Sequence, residues 1–122
     1  MDVQTTPRAQ WLKIISRFPV EPSPEHRRSE VRHDVALGSV QVAYEKNGRP
    51  TLAGGKVLNV SAKGVLLRLS ARMDNGTVVL LRAHLGDESV VLVGRVSHCT
   101  ETVGAFKLGV TLDFAKAGKA VR

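Results

Sequence analysis

The sequence predicts an all-β fold: a six-stranded antiparallel β-barrel, preceded by a short N-terminal helix and a flexible Pro-rich linker. Three observations carry this. From Val35 onward apolar side chains recur with a period of two, the alternation of half-buried strands. Turn signals such as Asn47-Gly48, Asp74-Asn75-Gly76 and Gly86-Asp87 interrupt that alternation at short, regular intervals, as in small sandwiches and barrels. Strands joined by such short connections must also hide their edges, and closure into a barrel does so with the fewest residues.

The elements follow in order. Trp11, Ile14, Ile15 and Phe18 stand at i, i+3, i+4 and i+7, which predicts an amphipathic helix from about Arg8 to Phe18. Thr6 and Pro7 read as its cap and first-turn proline. Pro19, Pro22 and Pro24 each fix their own φ and disfavour helix in the preceding residue, so a linker follows. It runs into the charged segment His26 to Asp34. The first strand holds Val40, Val42 and Tyr44; the second runs from Thr51 to Val60, with Gly54-Gly55 read as a bulge or bend. Val65, Leu67 and Leu69 mark the third strand, and Val79, Leu81, Ala83 and Leu85 the fourth. The fifth, Val90 to Cys99, alternates more weakly. The sixth sets Phe106, Leu108, Val110, Leu112 and Phe114 against Lys107, Gly109, Thr111 and Asp113. The expected organisation is a helix and linker over 1–25, a barrel domain over 26–116 and a tail over 117–122.

A chain of 122 residues with 43% hydrophobic and 24% charged residues is one ordinary domain, and disorder throughout is excluded. The net charge of +7 favours anionic partners without saying which anion. Aromatic residues make up only 4% and are scattered, which argues against a surface that stacks the bases of a single strand. The single Cys99 makes no intrachain disulfide, in keeping with a reducing compartment. Met1 to Val20 carries Asp2, Arg8, Lys13 and Arg17 and no apolar run long enough for a signal core or membrane span, so a cytoplasmic location is expected. His26, His33, His84 and His98 have no metal-ligand spacing, and no metal or cofactor is expected. Ser61 has no evident His/Asp partners, and Asp34, Asp74, Asp87 and Asp113 fall at unrelated positions, so an enzyme is not expected. Gly54-Gly55 and Gly104-Ala105 belong to no Walker or Rossmann fingerprint.

Two segments are left over from packing. Arg28-Ser29-Glu30-Val31-Arg32 spells R-x-x-x-R, with Arg27 directly ahead of it. Guanidinium forks match phosphate oxygens and, bidentately, the O6/N7 edge of guanine. Asn59-Val60-Ser61-Ala62-Lys63-Gly64 spells N-x-S-x-x-G between the second and third strands, where Gly64 reads as a residue that allows a positive φ and close approach of a ligand to the main chain. Singly, the first is also what a solvated charge run looks like, and the second what any hairpin needs.

Together, in this order and flanking the first two strands, the motifs resemble the paired signature of the PilZ domain family. The resemblance spans roughly His26 to Phe114, and Leu108-Gly109-Val110-Thr111-Leu112-Asp113-Phe114 is similar to the family's last strand. It implies a six-stranded antiparallel barrel and a receptor for the second messenger cyclic di-GMP, with binding rather than turnover. Carried over to this chain, the resemblance implies that Arg28 and Arg32 grip the ligand from the linker. Asn59, Ser61 and Gly64 would receive it on the barrel. Asn59 stands where Asp is the alternative and adds no negative charge against the phosphates. Arg27 resembles the additional arginine that accompanies a stacked cyclic di-GMP dimer. The expectation is a bacterial receptor whose N-terminal segment rearranges with ligand and acts on a downstream protein. The competing expectation is a basic β-barrel adaptor that binds nucleic acid or protein and ignores cyclic di-GMP.

Overall fold

The computed structural model describes residues 4–20 and 31–114. Helix α1 spans Arg8–Ile15, and seven strands follow: β1 Arg32–Asp34, β2 Gly38–Lys46, β3 Arg49–Ser61, β4 Gly64–Leu69, β5 Val78–Leu85, β6 Glu88–Thr102 and β7 Ala105–Leu112. Strands β2 to β7 are the six predicted from alternation. They pair antiparallel in the order β3-β2-β5-β6-β7-β4, and β3 pairs again with β4, closing the ring. The additional β1 lies in the charged segment between the linker and the first predicted strand and pairs with the end of β3, Arg32 opposite Ser61 and Asp34 opposite Asn59. The expected boundaries at 25/26 and 116/117 fall outside the described residues, as do Pro22, Pro24 and His26 to Glu30.

Closure rests on the length of β3. Its first part, from Arg49 to Lys56, pairs with β2, and Gly55 to Val60 pair with β4. The two neighbours overlap at Gly55, where a Cβ would lie 2.0 Å from the Arg68 carbonyl oxygen, so only glycine allows the approach. Register runs unbroken through Gly54 and Gly55 against Gln41 and Val40. The expected bulge there is absent; the register shift falls instead between Val57 and Asn59. A second shift falls in β6, between Val96 and His98. The Asn47-Gly48 turn behaves as its sequence demands, both residues having positive φ, 54° and 76°, as a tight two-residue hairpin requires.

Alternate side chains fill the interior, among them Val42, Leu67, Leu69, Leu81, Leu85 and Leu108, each fully buried. Helix α1 adds Trp11, Ile14 and Ile15 to the same core. Trp11 is 0% exposed and borders an interior gap together with Val40, Val57, Leu81 and Leu92, a position a helix reaches only through an open end of the barrel. The helix is shorter than its apolar spacing predicts: it stops at Ile15, and Arg17 and Phe18 continue in tighter turns through N–H bonds to Ile14 and Ile15. Thr6 is not the cap. Its hydroxyl accepts the Val91 N–H at 3.0 Å and its own N–H donates to the Val91 carbonyl at 2.8 Å, fastening the helix start to β6, while Pro7 occupies the N-cap position.

After α1 the chain turns back along β1. The Asp34 N–H donates to the Pro19 carbonyl at 2.8 Å, His33 Nδ1 donates to the Phe18 carbonyl at 2.9 Å, and Val20 bridges to His33. Phe18 to Val20 and His33 to Asp34 are therefore held side by side.

The two adjacent glycines of β3 should differ sharply on substitution. Gly55→Ala forces a methyl group into the Arg68 backbone and should destabilise by at least about 1–3 kcal/mol. Gly54→Ala meets nothing nearer than the Val40 carbonyl oxygen at 4.0 Å and should leave the melting temperature close to wild type. Thermal melts of both variants check the crossover; equal melting temperatures would show that β3 does not change partners there.

Candidate functional site

The outer wall of β3, β4, β7 and β6 carries a row in which Asn59 faces Leu66, Leu66 faces Gly109, and Gly109 faces His98. Each end of the row owes its orientation to a bulge. Strict alternation from the buried Val57 would turn Asn59 inward, and from the buried Val96 would turn His98 inward. The extra residue at each register shift reverses the phase, so that Val60 is buried and His98 exposed. Ser97, the extra residue of β6, donates its hydroxyl to the Gly109 carbonyl at 3.0 Å and secures the bend. The His98 ring occupies the space above Gly109: a Cβ there would lie 2.2 Å from Nε2 and would displace the ring.

Strand β1 brings Arg32 to the same wall, opposite Ser61. The result is an open cleft of about 310 Å³ lined by Arg32, Asn59, Ser61, Lys63, Gly64 and His98, among others. Arg32 and the three motif positions of the β3–β4 turn, read separately from sequence, thus share one cavity. Arg27 and Arg28 lie outside the described residues. His98, Lys63 and Gly109 were missed as lining residues. The fading alternation of the fifth predicted strand was the one sequence sign that a bulge stood near His98.

The motif's serine and glycine carry the structural duties of a hairpin turn. Ser61 is 3% exposed; its Oγ accepts the Gly64 N–H at 3.0 Å and donates to the Gly64 carbonyl at 3.2 Å, closing the turn. The indole Nε1–H of Trp11 donates to the Ser61 carbonyl at 2.9 Å from inside the barrel. Gly64 does not have the positive φ expected of it. It is glycine because β7 runs against it: a Cβ would stand 2.8 Å from the Val110 carbonyl oxygen.

Cationic groups predominate on this wall, where Asp34, opposite Asn59 on β1, is an exposed carboxylate. Arg32 and Lys63 line the cleft, and in the neighbouring row Lys56 faces Arg68 and Arg68 faces Lys107, all three exposed. Like charges directly opposite one another repel, and together they raise the positive potential beside the cleft. Among the described residues the ion pair present, Arg17 with Glu88, lies elsewhere, on the loop after α1 and the start of β6. The cleft offers cationic and amide donors, suited to an anion with hydrogen-bonding edges. The Ser61 hydroxyl is committed to its turn. Among the described residues no three His, Cys, Asp or Glu side chains group as metal ligands, and no helix is long and apolar enough to cross a membrane.

No curated protein matches the chain. A family model, that of the PilZ domain, matches residues 26–118, a stretch that takes in both motifs and all seven strands. With the closed six-stranded ring and with Arg32 and the N-x-S-x-x-G positions on one wall of it, the chain belongs to the PilZ domain family, a family of cyclic di-GMP receptors.

Proposed function

We propose that the protein is a cytoplasmic cyclic di-GMP receptor that transmits the level of the messenger by rearrangement of its N-terminal segment, acting on a downstream protein. The observation that carries this reading is the shared cleft of Arg32, Asn59, Ser61 and Gly64. Arg32 supplies a guanidinium fork for a phosphate or a guanine edge, and Asn59 supplies an amide that both donates and accepts. Ser61 and Gly64 present the turn on which the base rests. Arg28 precedes Arg32 by four residues, so chain connectivity keeps it within about 14 Å of the cleft. Arg27 adds a third guanidinium. Fixing this segment around a ligand costs backbone entropy, which charge-assisted hydrogen bonds to two phosphates offset.

The geometry around β1 refines the mechanism. Because Phe18 to Val20 are tied to His33 and Asp34, closure of the arginine segment acts first on the paired strands at its base. The binding-competent arrangement is then selected by ligand from those already sampled. The chemistry is binding, and no group in the cleft is assigned to turnover.

Calorimetric titration tests the reading directly. Cyclic di-GMP should bind, and cyclic di-AMP should bind far more weakly, since adenine lacks the O6 acceptor that an arginine fork reads. The basic row Lys56, Arg68 and Lys107 favours a second reading, a general polyanion binder. In that case duplex DNA would compete with cyclic di-GMP and binding would fall steeply with salt. Equal affinity for the adenine analogue would remove guanine recognition.

Arg28→Ala and Arg32→Ala should each weaken cyclic di-GMP binding about tenfold or more, charged hydrogen bonds contributing about 1.5–3 kcal/mol apiece. Melting temperatures should stay near wild type, since Arg32 is only half-buried and lies outside the core cluster. Loss of folding in Arg32→Ala would assign that side chain to structure instead.

Three arginines exceed what two phosphates need, and a stacked ligand dimer would supply the additional negative charge. The wild type should bind two cyclic di-GMP molecules per chain, and Arg27→Leu should bind one, or bind much more weakly. A one-to-one isotherm for both proteins at saturating ligand would leave Arg27 no part in recruiting a second molecule.

A further inference from the structure

Ser61 is held from three directions. Its hydroxyl bonds both polar backbone groups of Gly64, its backbone stands opposite Arg32 of β1, and its carbonyl accepts the indole N–H of Trp11 at 2.9 Å. The third hold comes from outside the strand ladder, from a helix that neither motif contains. Trp11 is the chain's single tryptophan and is 0% exposed, so its N–H donates in a water-free interior where the bond is directional and expensive to lose. The same N-terminal segment also holds β1, through the Phe18 and Pro19 carbonyls on His33 and Asp34. One continuous piece of chain therefore supports both halves of the cleft, the turn from beneath and the strand carrying Arg32 from beside.

We propose that Trp11 is a positioning residue for the ligand cleft, and that docking of α1 in the barrel and binding of ligand reinforce each other. The inference rests on the cyclic di-GMP reading above. Trp11 does not touch the ligand. It sets the position of the Ser61 carbonyl, and with it the Ser61–Gly64 turn and the facing Arg32. Linkage then requires reciprocity: if a docked helix tightens ligand binding, bound ligand tightens helix docking by the same factor.

The test compares Trp11→Phe, which keeps a ring in the core but removes the donor, with Ile15→Val, which loosens the same helix and keeps the Trp11 donor to Ser61. Each is titrated with cyclic di-GMP, melted, and followed by amide exchange over α1 with and without ligand. Trp11→Phe should bind about three- to tenfold more weakly, at most the worth of one hydrogen bond. Ile15→Val should lower the melting temperature and, with the helix still docked in nearly every molecule, bind like wild type. Ligand should slow exchange of the α1 amides in the wild type and do so much less in Trp11→Phe. Should Trp11→Phe fail to fold, replacing Trp11 by its benzothienyl isostere, which has the same shape and no N–H, gives the same comparison. Wild-type affinity in a folded donor-less variant, or an equal loss in Ile15→Val, would overturn the positioning role while leaving the receptor reading intact. A wild type that binds no cyclic di-GMP would overturn both.

Discussion

A thirteen-residue strand that pairs with β2 along its first part and with β4 along its second turns an antiparallel sheet into a closed ring. Closure hides both edges of the sheet and creates an interior that alternate residues of six strands can fill. The crossover demands that two backbones approach at Gly55 more closely than any side chain allows. It also leaves the end of β3 with one side unpaired by β2, and there β1 adds Arg32 to the wall. The barrel, its core and the placement of the first motif beside the second all descend from this change of partner.

The cleft depends on a second device, the reversal of strand phase. Interior and exterior are assigned by a period of two, and a single extra residue exchanges them for everything beyond it. The bulge at Leu58 presents Asn59 outward while returning Val60 to the core, and the bulge at Ser97 does the same for His98 and Cys99. The same irregularities that bend the wall therefore arm it. Gly109 completes the arrangement by leaving room above β7 for the His98 ring.

Ser61 and Gly64 show how a binding motif and a folding motif coincide. The hydroxyl and the backbone of the turn satisfy one another, and the carbonyl is satisfied from the core by Trp11. No buried polar side-chain atom among the described residues lacks a partner. A surface shaped this way is pre-organised.

The sequence by itself determined the six strands, the Asn47-Gly48 hairpin and the helical stripe of Trp11, Ile14 and Ile15, because alternation, turn chemistry and helical spacing are local properties of the chain. The residue types of the two motifs were legible for the same reason, and so was the family to which they point. Tertiary structure alone decided that β1 exists, since a three-residue strand has no period to read and forms only because β3 offers an open edge. It decided that Thr6 fastens to Val91 rather than capping α1, and that Gly54-Gly55 marks a crossover while the bulge lies at Leu58. It also decided that Gly64 is required by the nearness of Val110 rather than by its own φ. Each of these depends on which strand lies alongside and in what register, and register is a relation between segments far apart in sequence, set by closure of the ring rather than by any neighbouring residue.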